Sequence, residues 1–162
     1  MRESTPMFRR RMLAGAGPAL ALSWLPSPAR ATREPLVTYR TPGCECCLGW
    51  VRHMEQAGFE ARVVEQPRLD AVALSAGVPP ELAGCHVAML GRHSFSGHVP
   101  VAAVRRFLAA PGDWRGLAVP GMPVGSPGME VEGQQPQAYG VHAFGRDGRH
   151  DLFARARGAD LI

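Results

Sequence analysis

Apolar residues recur along the chain in two patterns, one typical of strands and one typical of helices. A short β-type stretch, Leu36 to Tyr39, is followed by apolar positions at helical spacing that end at Gly58. Phe59 to Glu65 alternates apolar and polar residues as a half-buried strand does, and a shorter helical pattern then closes at Gly77. The helical positions are Leu48, Val51, Met54 and Ala57 in the first pattern and Leu69, Val72, Ala73 and Ala76 in the second.

Two further strands and a third helix are predicted after these elements. Val87 to Leu90 indicates a strand, and Ser94 to Val99 its hairpin partner across Gly91-Arg92-His93. Pro100 is expected as the first residue of a helix that reaches Ala110. The resulting order, βαβαββα, is that of a thioredoxin-like α/β core, in which the first two strands pair in parallel through a right-handed crossover.

The rest of the chain divides into a loop rich in glycine and proline and a C-terminal hairpin. Residues 116–137 contain five glycines and four prolines, so regular structure is not expected there. We expect a long ordered loop that carries Met122 and Met129, with disorder as the alternative. Tyr139 to Phe144 and His150 to Ala154 flank a tight-turn sequence, which predicts a β-hairpin that extends the sheet or covers an edge.

The first 31 residues have the pattern of a cleaved signal peptide. Arg9 to Arg11 precede the apolar stretch Met12 to Leu25, which is too short to span a membrane, and Ala29-Arg30-Ala31 provides a small-x-small cleavage site. The consecutive arginines also resemble a twin-arginine signal, so both export routes stay open. We therefore predict a signal peptide at residues 1–31 and a single periplasmic domain at residues 32–162, without stable membrane insertion after cleavage.

Removal of this segment changes the charge of the chain. Five of the 18 basic residues, all arginines, and one of the 14 acidic residues lie within it, so the mature chain is near neutral. Nucleic-acid binding requires a basic stripe on the folded domain, and nucleic acid is therefore not an expected partner. The remaining residues are enough for a real hydrophobic core, so a metal is not needed merely to fold the domain.

The cysteines are the strongest chemical signal in the sequence. Cys44, Cys46 and Cys47 fall within four positions, and the only other cysteine is Cys85. The run lies where the first strand passes into the first helix, and a helix N-terminus favours thiolate over thiol. In a thioredoxin-like core, the segment that leads into the third strand lies beside this helix end. Cys85 and His86 are therefore expected to face the run.

Three interpretations of four converging sulfurs stay open. Clustered thiolates repel one another and are stabilised by a thiophilic cation; soft ligands select Cu(I), with zinc as a competitor. Alternatively, Cys44 and Cys47, at C-x-x-C spacing, are the attacking and resolving thiols of a thiol-disulfide oxidoreductase, with Cys46 and Cys85 structural. The third interpretation is two ordinary disulfides, which are common in exported proteins. Copper accounts for the loop methionines better than zinc does.

Histidines and methionines extend the candidate ligand set. His86 and His98 are candidates for ligation, for orienting a ligand, or for an ordinary polar role. Met122 and Met129 do not lie at the regular spacing of buried positions in a helix or strand, so they either ligate copper or pack as a lid. His53 lies at a spacing equally compatible with an exposed helix face. The candidate metal ligands are Cys44, Cys46, Cys47, Cys85, His86, His98, Met122 and Met129.

Four blocks of the chain, in order, carry a family resemblance. They are Thr41-Pro42-Gly43-Cys44-Glu45-Cys46-Cys47 with Trp50, Gly77 to Leu82 running into Cys85-His86, Gly97 to Pro100, and Gly116 to Glu130. In these blocks the chain resembles the CopG-type periplasmic copper-resistance proteins, a group long catalogued as a domain of unknown function. The resemblance covers most of the mature chain, although Val87 stands where many relatives carry a small polar residue.

The resemblance implies a thioredoxin-like fold and copper bound by the cysteines, with a multinuclear thiolate-bridged cluster as one arrangement. Cys44, Cys46, Cys47 and Cys85 fall on the family's cysteine positions. The predicted function is an exported copper-binding protein that sequesters copper or interconverts Cu(I) and Cu(II) in copper resistance. Its expected partners are copper ions and other periplasmic copper-handling proteins. Copper oxidoreductase activity, a thiol-disulfide oxidoreductase and a passive copper chaperone stay open.

Overall fold

The computed structural model describes residues 34–162, and the predicted signal peptide lies outside them. Eight strands form one sheet: β1 (Leu36–Arg40), β2 (Ala61–Glu65), β3 (His86–Leu90), β4 (His93–Ser96), β5 (Gly116–Ala118), β6 (Ala138–Phe144), β7 (His150–Arg157) and β8 (Asp160–Leu161). The helices are α1 (Glu45–Gln56), α2 (Leu69–Ala76) and α3 (Val101–Ala109), and Pro80–Leu82 forms a short 3₁₀ helix. The prediction of a mixed α/β fold is confirmed.

The strand order is β2-β1-β3-β4-β5-β6-β7-β8. β1 pairs in parallel with β2 and antiparallel with β3, and β3 pairs antiparallel with β4. In the β1–β3 ladder Arg40 lies opposite His86. Because the two strands are antiparallel, the chain that leaves β1 towards α1 and the chain that enters β3 meet at the same end of the sheet. This register determines where the candidate site lies.

The sheet has a hydrophobic cluster on each face. Adjacent residues of one strand point to opposite faces, so Ala88 belongs to one cluster and Val87 to the other. The first cluster contains Trp50, Val51 and Met54 of α1, Val104 and Phe107 of α3, and Phe95 and Leu117 of the sheet. The second contains Ala73 and Ala76 of α2 with Leu82, Val87 and Phe144. The helices therefore cover both faces of the first strands, as the predicted crossovers require.

The boundaries differ from the prediction at several elements. The expectation that residues 116–137 contain no regular structure is wrong at Gly116–Ala118, which is β5. β5 pairs with β4 on one side and β6 on the other, so it joins the first strands to the C-terminal hairpin in one sheet. β2 begins at Ala61, two residues after the predicted start, and β4 ends at Ser96 because the chain there turns away to reach α3.

Two further boundaries were also predicted incorrectly. Pro100 is the residue before α3 and has an extended backbone, so the helix begins at Val101. The C-terminal hairpin does extend the sheet, and its second strand continues to Arg157 because residues 138–140 of β6 offer it partners beyond Ala154. None of the helices within residues 34–162 is long and apolar enough to cross a membrane.

The remainder of the glycine- and proline-rich segment has no helix or strand but is held by backbone hydrogen bonds. The N–H of Gly125 donates to the carbonyl of Met129 at 2.8 Å, and the N–H of Met129 donates to Ser126 at 2.7 Å. The N–H of Gln137 donates to Val124 at 2.9 Å, and Ser126 is fully buried. The segment is therefore an ordered loop, which agrees with the prediction and not with its alternative.

Candidate metal centre

The cysteine run lies at the N-terminus of α1. Cys44 is the residue immediately before the helix, and its N–H donates to the carbonyl of Thr41 at 3.3 Å across the turn that ends β1. Cys46 and Cys47 are in the first helical turn, and Cys47 is fully buried. The three sulfurs therefore occupy the helix end at which backbone N–H groups lack intrahelical partners.

Cys85, which immediately precedes β3, lies beside this run at the same end of the sheet. Its Sγ atom lies 3.6 Å from Cys47 Sγ and 3.9 Å from Cys46 Sγ. Cys44 Sγ lies 3.5 Å from Cys46 Sγ, and all four sulfur atoms lie within 4.8 Å of one another. We call this group the four-sulfur cluster. The expectation that the topology brings Cys85 to the run agrees with this geometry.

The cluster contains one disulfide and two free thiols. Cys44 and Cys47 are bonded to each other, whereas Cys46 and Cys85 are free. The interpretation of the four cysteines as two ordinary disulfides is therefore wrong, because the second pair approaches without bonding. Coordination of a metal by all four sulfurs requires reduction of Cys44–Cys47: an external dithiol supplies two electrons and two protons, forms its own disulfide, and leaves two cysteine thiols.

The Cys85 thiol is partly buried. Burial raises the pKa of Cys85 to about 12, and the charge of Cys46 and its hydrogen bond contribute in the same direction. The Cys85 thiol is protonated at neutral pH in the absence of a cation, and a bound metal has to displace that proton.

His98 connects Cys85 to the ordered loop. Its Nε2 atom lies 3.2 Å from Cys85 Sγ, and its Nδ1 atom lies 2.9 Å from the carbonyl oxygen of Pro127. A carbonyl oxygen only accepts hydrogen bonds, so Nδ1 carries the ring proton and Nε2 carries the lone pair. This tautomer directs an acceptor at Cys85 Sγ, where it can bind the thiol proton or a metal ion. Burial lowers the pKa of His98, which favours the neutral ring.

His86 is the more deeply buried of the two histidines near Cys85. Its Nδ1 atom lies 3.5 Å from Cys85 Sγ, and its ring packs 4.6 Å from the Trp50 ring. Burial and the nearby His98 lower the pKa of His86 to about 3, so the ring is neutral. Within residues 34–162 its Nε2 atom has no hydrogen-bond partner. Cys85, His86 and His98 also have potential ligand atoms within 4.8 Å of one another.

Two glycines allow Cys85 and His98 to approach. A Cβ atom on Gly84 would lie 2.5 Å from the Cα of Gly97, so the two backbones are in direct contact. The N–H of Gly84 also donates to Ser96 Oγ at 2.9 Å, and the N–H of Gly97 donates to the carbonyl of His86 at 3.0 Å. The residues that follow the two glycines are therefore held side by side at the edge of the cluster.

A second pair of glycines places the loop on the cysteine helix. A Cβ on Gly128 would lie 2.5 Å from the carbonyl oxygen of Cys46 and 2.5 Å from the nitrogen of Trp50. A Cβ on Gly49 would lie 2.7 Å from the Cα of Gly128. Sequence reasoning did not identify this contact, although a glycine inside a helical pattern was an available signal for it. The loop therefore packs on the helix at Gly128.

Glu130 ties the same loop to the outer face of α1. Its carboxylate accepts from the N–H of Gly128 at 2.9 Å and lies 2.7 Å from His53 Nε2. Burial alone would raise the pKa of Glu130, but hydrogen bonds from its own N–H, from Gly128 and from His53 lower it. His53 thus contacts the loop and is absent from the two ligand groups found within residues 34–162.

The two loop methionines differ in exposure. Met122 is 57 % exposed, whereas Met129 is half-buried and lies next to Gly128. An exposed thioether is not in the enclosed environment that a buried copper ligand occupies. Of the predicted ligands, the structure therefore brings together the four cysteines with His86 and His98, and it leaves Met122 at the surface.

Comparisons with known proteins give two kinds of match. A family model described as "Protein of unknown function, DUF411" matches residues 82–129, which include Cys85, His86, His98 and most of the loop. The solved structure "Copper resistance protein copG- Form 1" is similar at 35 % identity and a TM-score of 0.72, over 78 % of this chain and 99 % of that chain.

The structure "Copper resistance protein copG- Form 2" is similar at 38 % identity and a TM-score of 0.69, over 76 % of this chain and 99 % of that chain. Comparison with curated proteins gave no match. Both solved structures are covered almost completely, so the similarity extends well beyond the cysteine run.

Proposed function

Because the chain belongs to the family of the copper resistance protein CopG, we propose that it is an exported protein that binds copper as its cargo at the four-sulfur cluster. The observation that carries this proposal is the convergence of four Sγ atoms within 4.8 Å of one another, from two separate segments of the chain. A stable fold alone does not need four sulfurs at one point, and a thiophilic ion does.

The donor set favours Cu(I) over harder ions. The two ligand groups found within residues 34–162 contain cysteine and histidine only, without a carboxylate. Soft thiolates select Cu(I), and zinc competes for the same ligands. Sulfurs separated by 3.5 to 3.9 Å can each bridge two ions, so we expect the reduced cluster to hold more than one Cu(I) per chain.

His98 and His86 complete the proposed site. The Nε2 lone pair of His98 lies 3.2 Å from Cys85 Sγ, close enough for His98 to bind an ion that Cys85 also binds. His86 is a neutral, fully buried ring beside the same sulfur. Imidazole also binds Cu(II), so a site with both donor types supports interconversion of Cu(I) and Cu(II), in which one electron passes to or from an external redox partner, and with it a copper oxidoreductase activity. Met122 and Met129 stay predicted ligands.

The proposal includes location and fold type. Residues 1–31 act as the signal peptide and residues 32–162 as the periplasmic domain, where an oxidising environment permits a disulfide such as Cys44–Cys47. The order and directions of β2, β1, β3 and β4, with α1 and α2 in the connections, support a thioredoxin-like classification. Other copper-handling proteins of that compartment are the proposed partners.

The experiment that tests this proposal is an anaerobic Cu(I) titration of the reduced protein, combined with alkylation to count reactive thiols. We expect more than one equivalent of Cu(I) to bind and all four cysteines to become protected. Saturation at one equivalent of Cu(I), with two thiols still open to alkylation, would contradict the four-sulfur site and would indicate that only a C-x-x-C pair binds copper.

The Cys44–Cys47 disulfide itself favours a second function, that of a thiol-disulfide oxidoreductase. In that reaction a substrate thiolate attacks Cys44 Sγ and breaks its bond to Cys47, which leaves as a thiolate. A second substrate thiolate then releases Cys44, so the substrate gains a disulfide and the protein gains two thiols. Cys46 Sγ, 3.5 Å from Cys44 Sγ, is a competing partner that opposes this function. A Cys46→Ser, Cys85→Ser double variant keeps oxidase activity on a dithiol peptide only if this second function is correct.

A further inference from the structure

A second group of charged side chains lies at the opposite end of the sheet from the cysteines. β3 begins at His86 beside the cluster and ends at Leu90, about 13 Å away at about 3.3 Å per residue. Three chain segments meet at that far end: the turn between β3 and β4, the residues before β5, and the turn between β6 and β7. They place Arg92, Arg115 and Arg146 around one pocket of about 140 Å³.

The charge in this pocket is not compensated. Asp113 is the one carboxylate among its lining residues, so three guanidinium groups face a single negative charge. None of the three arginines forms a salt bridge within the part of the chain that the structure describes. Burial lowers the pKa of Arg115, and repulsion from Arg146 and Arg92 lowers it further. The three cations are therefore close enough to destabilise one another.

Backbone contacts hold the central guanidinium in place. Arg115 donates from Nε to the carbonyl of Ala76 at 3.2 Å and from its Nη1 atom to the carbonyl of Arg92. A guanidinium has five N–H donors, so three remain for another acceptor. Trp114 forms a wall of the pocket, and the Arg149 guanidinium lies 4.7 Å from the centre of its ring. The donors are thus held in position before any ligand arrives.

We infer that this pocket binds a small oxyanion that carries two negative charges, of the class of phosphate or sulfate. Such an anion balances three arginines and one aspartate, and its oxygens accept from the unused N–H groups of Arg115 and from Arg92 and Arg146. The pocket volume of about 140 Å³ is large enough to admit a four-oxygen anion.

The test follows the indole N–H resonances of Trp114 and Trp50 by NMR while sodium phosphate is added at constant ionic strength, with sodium chloride as the counter-titration. Trp114 lines the pocket, and Trp50 packs beside His86 near the cysteines, so it serves as an internal control. We expect a saturable shift of the Trp114 signal alone. Parallel titrations with sulfate show whether the site accepts both dianions or phosphate only, and either response supports the site.

Three variants decide whether the arginines are responsible. Arg146→Gln lies in an exposed turn and is expected to weaken phosphate binding by at least about tenfold, the effect of losing one charged hydrogen bond. Asp113→Asn should tighten binding, because it removes the one opposing charge. Arg62→Gln, an exposed arginine on β2, changes net charge equally and should have less than a twofold effect.

Several outcomes would overturn the inference. A Trp114 shift that chloride reproduces at the same ionic strength would show general screening. Equal weakening by Arg146→Gln and Arg62→Gln would show dependence on net charge only. A phosphate response with the same affinity in Arg146→Gln and Asp113→Asn as in the wild type would place the anion elsewhere.

Discussion

The contact between the loop and the cysteine helix is open to a direct test with Gly128→Ala. Gly128 has a φ of 86°, and a Cβ there would lie 2.5 Å from the Cys46 carbonyl oxygen and 2.5 Å from the Trp50 nitrogen. Both of these atoms belong to the backbone of α1, so neither can move as a flexible side chain does. The loop has to shift away from the helix if alanine is present.

The size of the effect has two parts. A left-handed backbone costs a non-glycine residue about 1–2 kcal/mol, and overpacking of a well-packed contact costs about 1–3 kcal/mol more. Gly133→Ala is the matched control, because Gly133 has a φ of 76°, lies in the same loop and has open space where its Cβ would be. We therefore expect Gly128→Ala to lower the free energy of unfolding by about 2–5 kcal/mol and Gly133→Ala by only about 1–2 kcal/mol.

Urea unfolding of the reduced, metal-free protein measures this difference. With a slope of about 1–3 kcal/mol/M, the two midpoints should be separated by roughly 1 M at unchanged slope. A second readout is the nitrogen NMR spectrum of His98, because displacement of the loop removes the Pro127 carbonyl, 2.9 Å from Nδ1, and with it the single tautomer. Equal midpoints for the two variants, with the His98 tautomer unchanged in both, would refute the close packing of the loop on α1.

Three further predictions concern the same region. Cys85→Ser and Cys47→Ser should each weaken Cu(I) binding by at least about tenfold in a chelator competition, because both sulfurs belong to one cluster, 3.6 Å apart. Wild-type affinity and spectrum in the Cys85 variant would show that Cys85 is not a copper ligand. Met129→Leu and Met122→Leu should each lower Cu(I) affinity or shift the copper potential, with the larger effect at the half-buried Met129; if both variants match the wild type, neither methionine is a ligand. Gly49→Ala should destabilise the protein although alanine favours a helix by about 1 kcal/mol, because its Cβ would meet Gly128, and a gain in stability on urea unfolding would contradict this contact.

Local patterns predicted the order of the first seven elements, because apolar periodicity and turn residues act over a few neighbouring positions. The ends of these elements depend on distant partners. The first helix was predicted with the cysteine run at its N-terminus and with its end at Gly58, and α1 runs from Glu45 to Gln56. β5 was missed because three residues that begin with Gly116 have no periodicity of their own, and β4 and β6 supply the pairing that makes them a strand.

The candidate site was predictable to the extent that it follows from topology. The close spacing of Cys44, Cys46 and Cys47 indicates a metal or redox site from the sequence alone. The antiparallel register of β1 and β3 brings Cys85 to them. His98 was a weaker prediction, since its role depends on close contact between Gly84 and Gly97 and on a hydrogen bond to a loop carbonyl, neither of which local periodicity reveals. The pocket of Arg92, Arg115 and Arg146 was not predicted at all, because three turns far apart in the chain form it.

The sequence by itself determined which chemistry is available: four thiols, two of them at C-x-x-C spacing, with histidines and methionines in recognisable family blocks. The tertiary structure decided which cysteines are bonded, which stay free, and how the groups around them affect their protonation. It joins Cys44 to Cys47, leaves Cys46 and Cys85 free, raises the pKa of Cys85 by burial and points the lone pair of His98 at its sulfur. The physical reason is that bonding, desolvation and hydrogen-bond direction depend on distances between atoms, and those distances exist only once the strands, helices and loop have packed together.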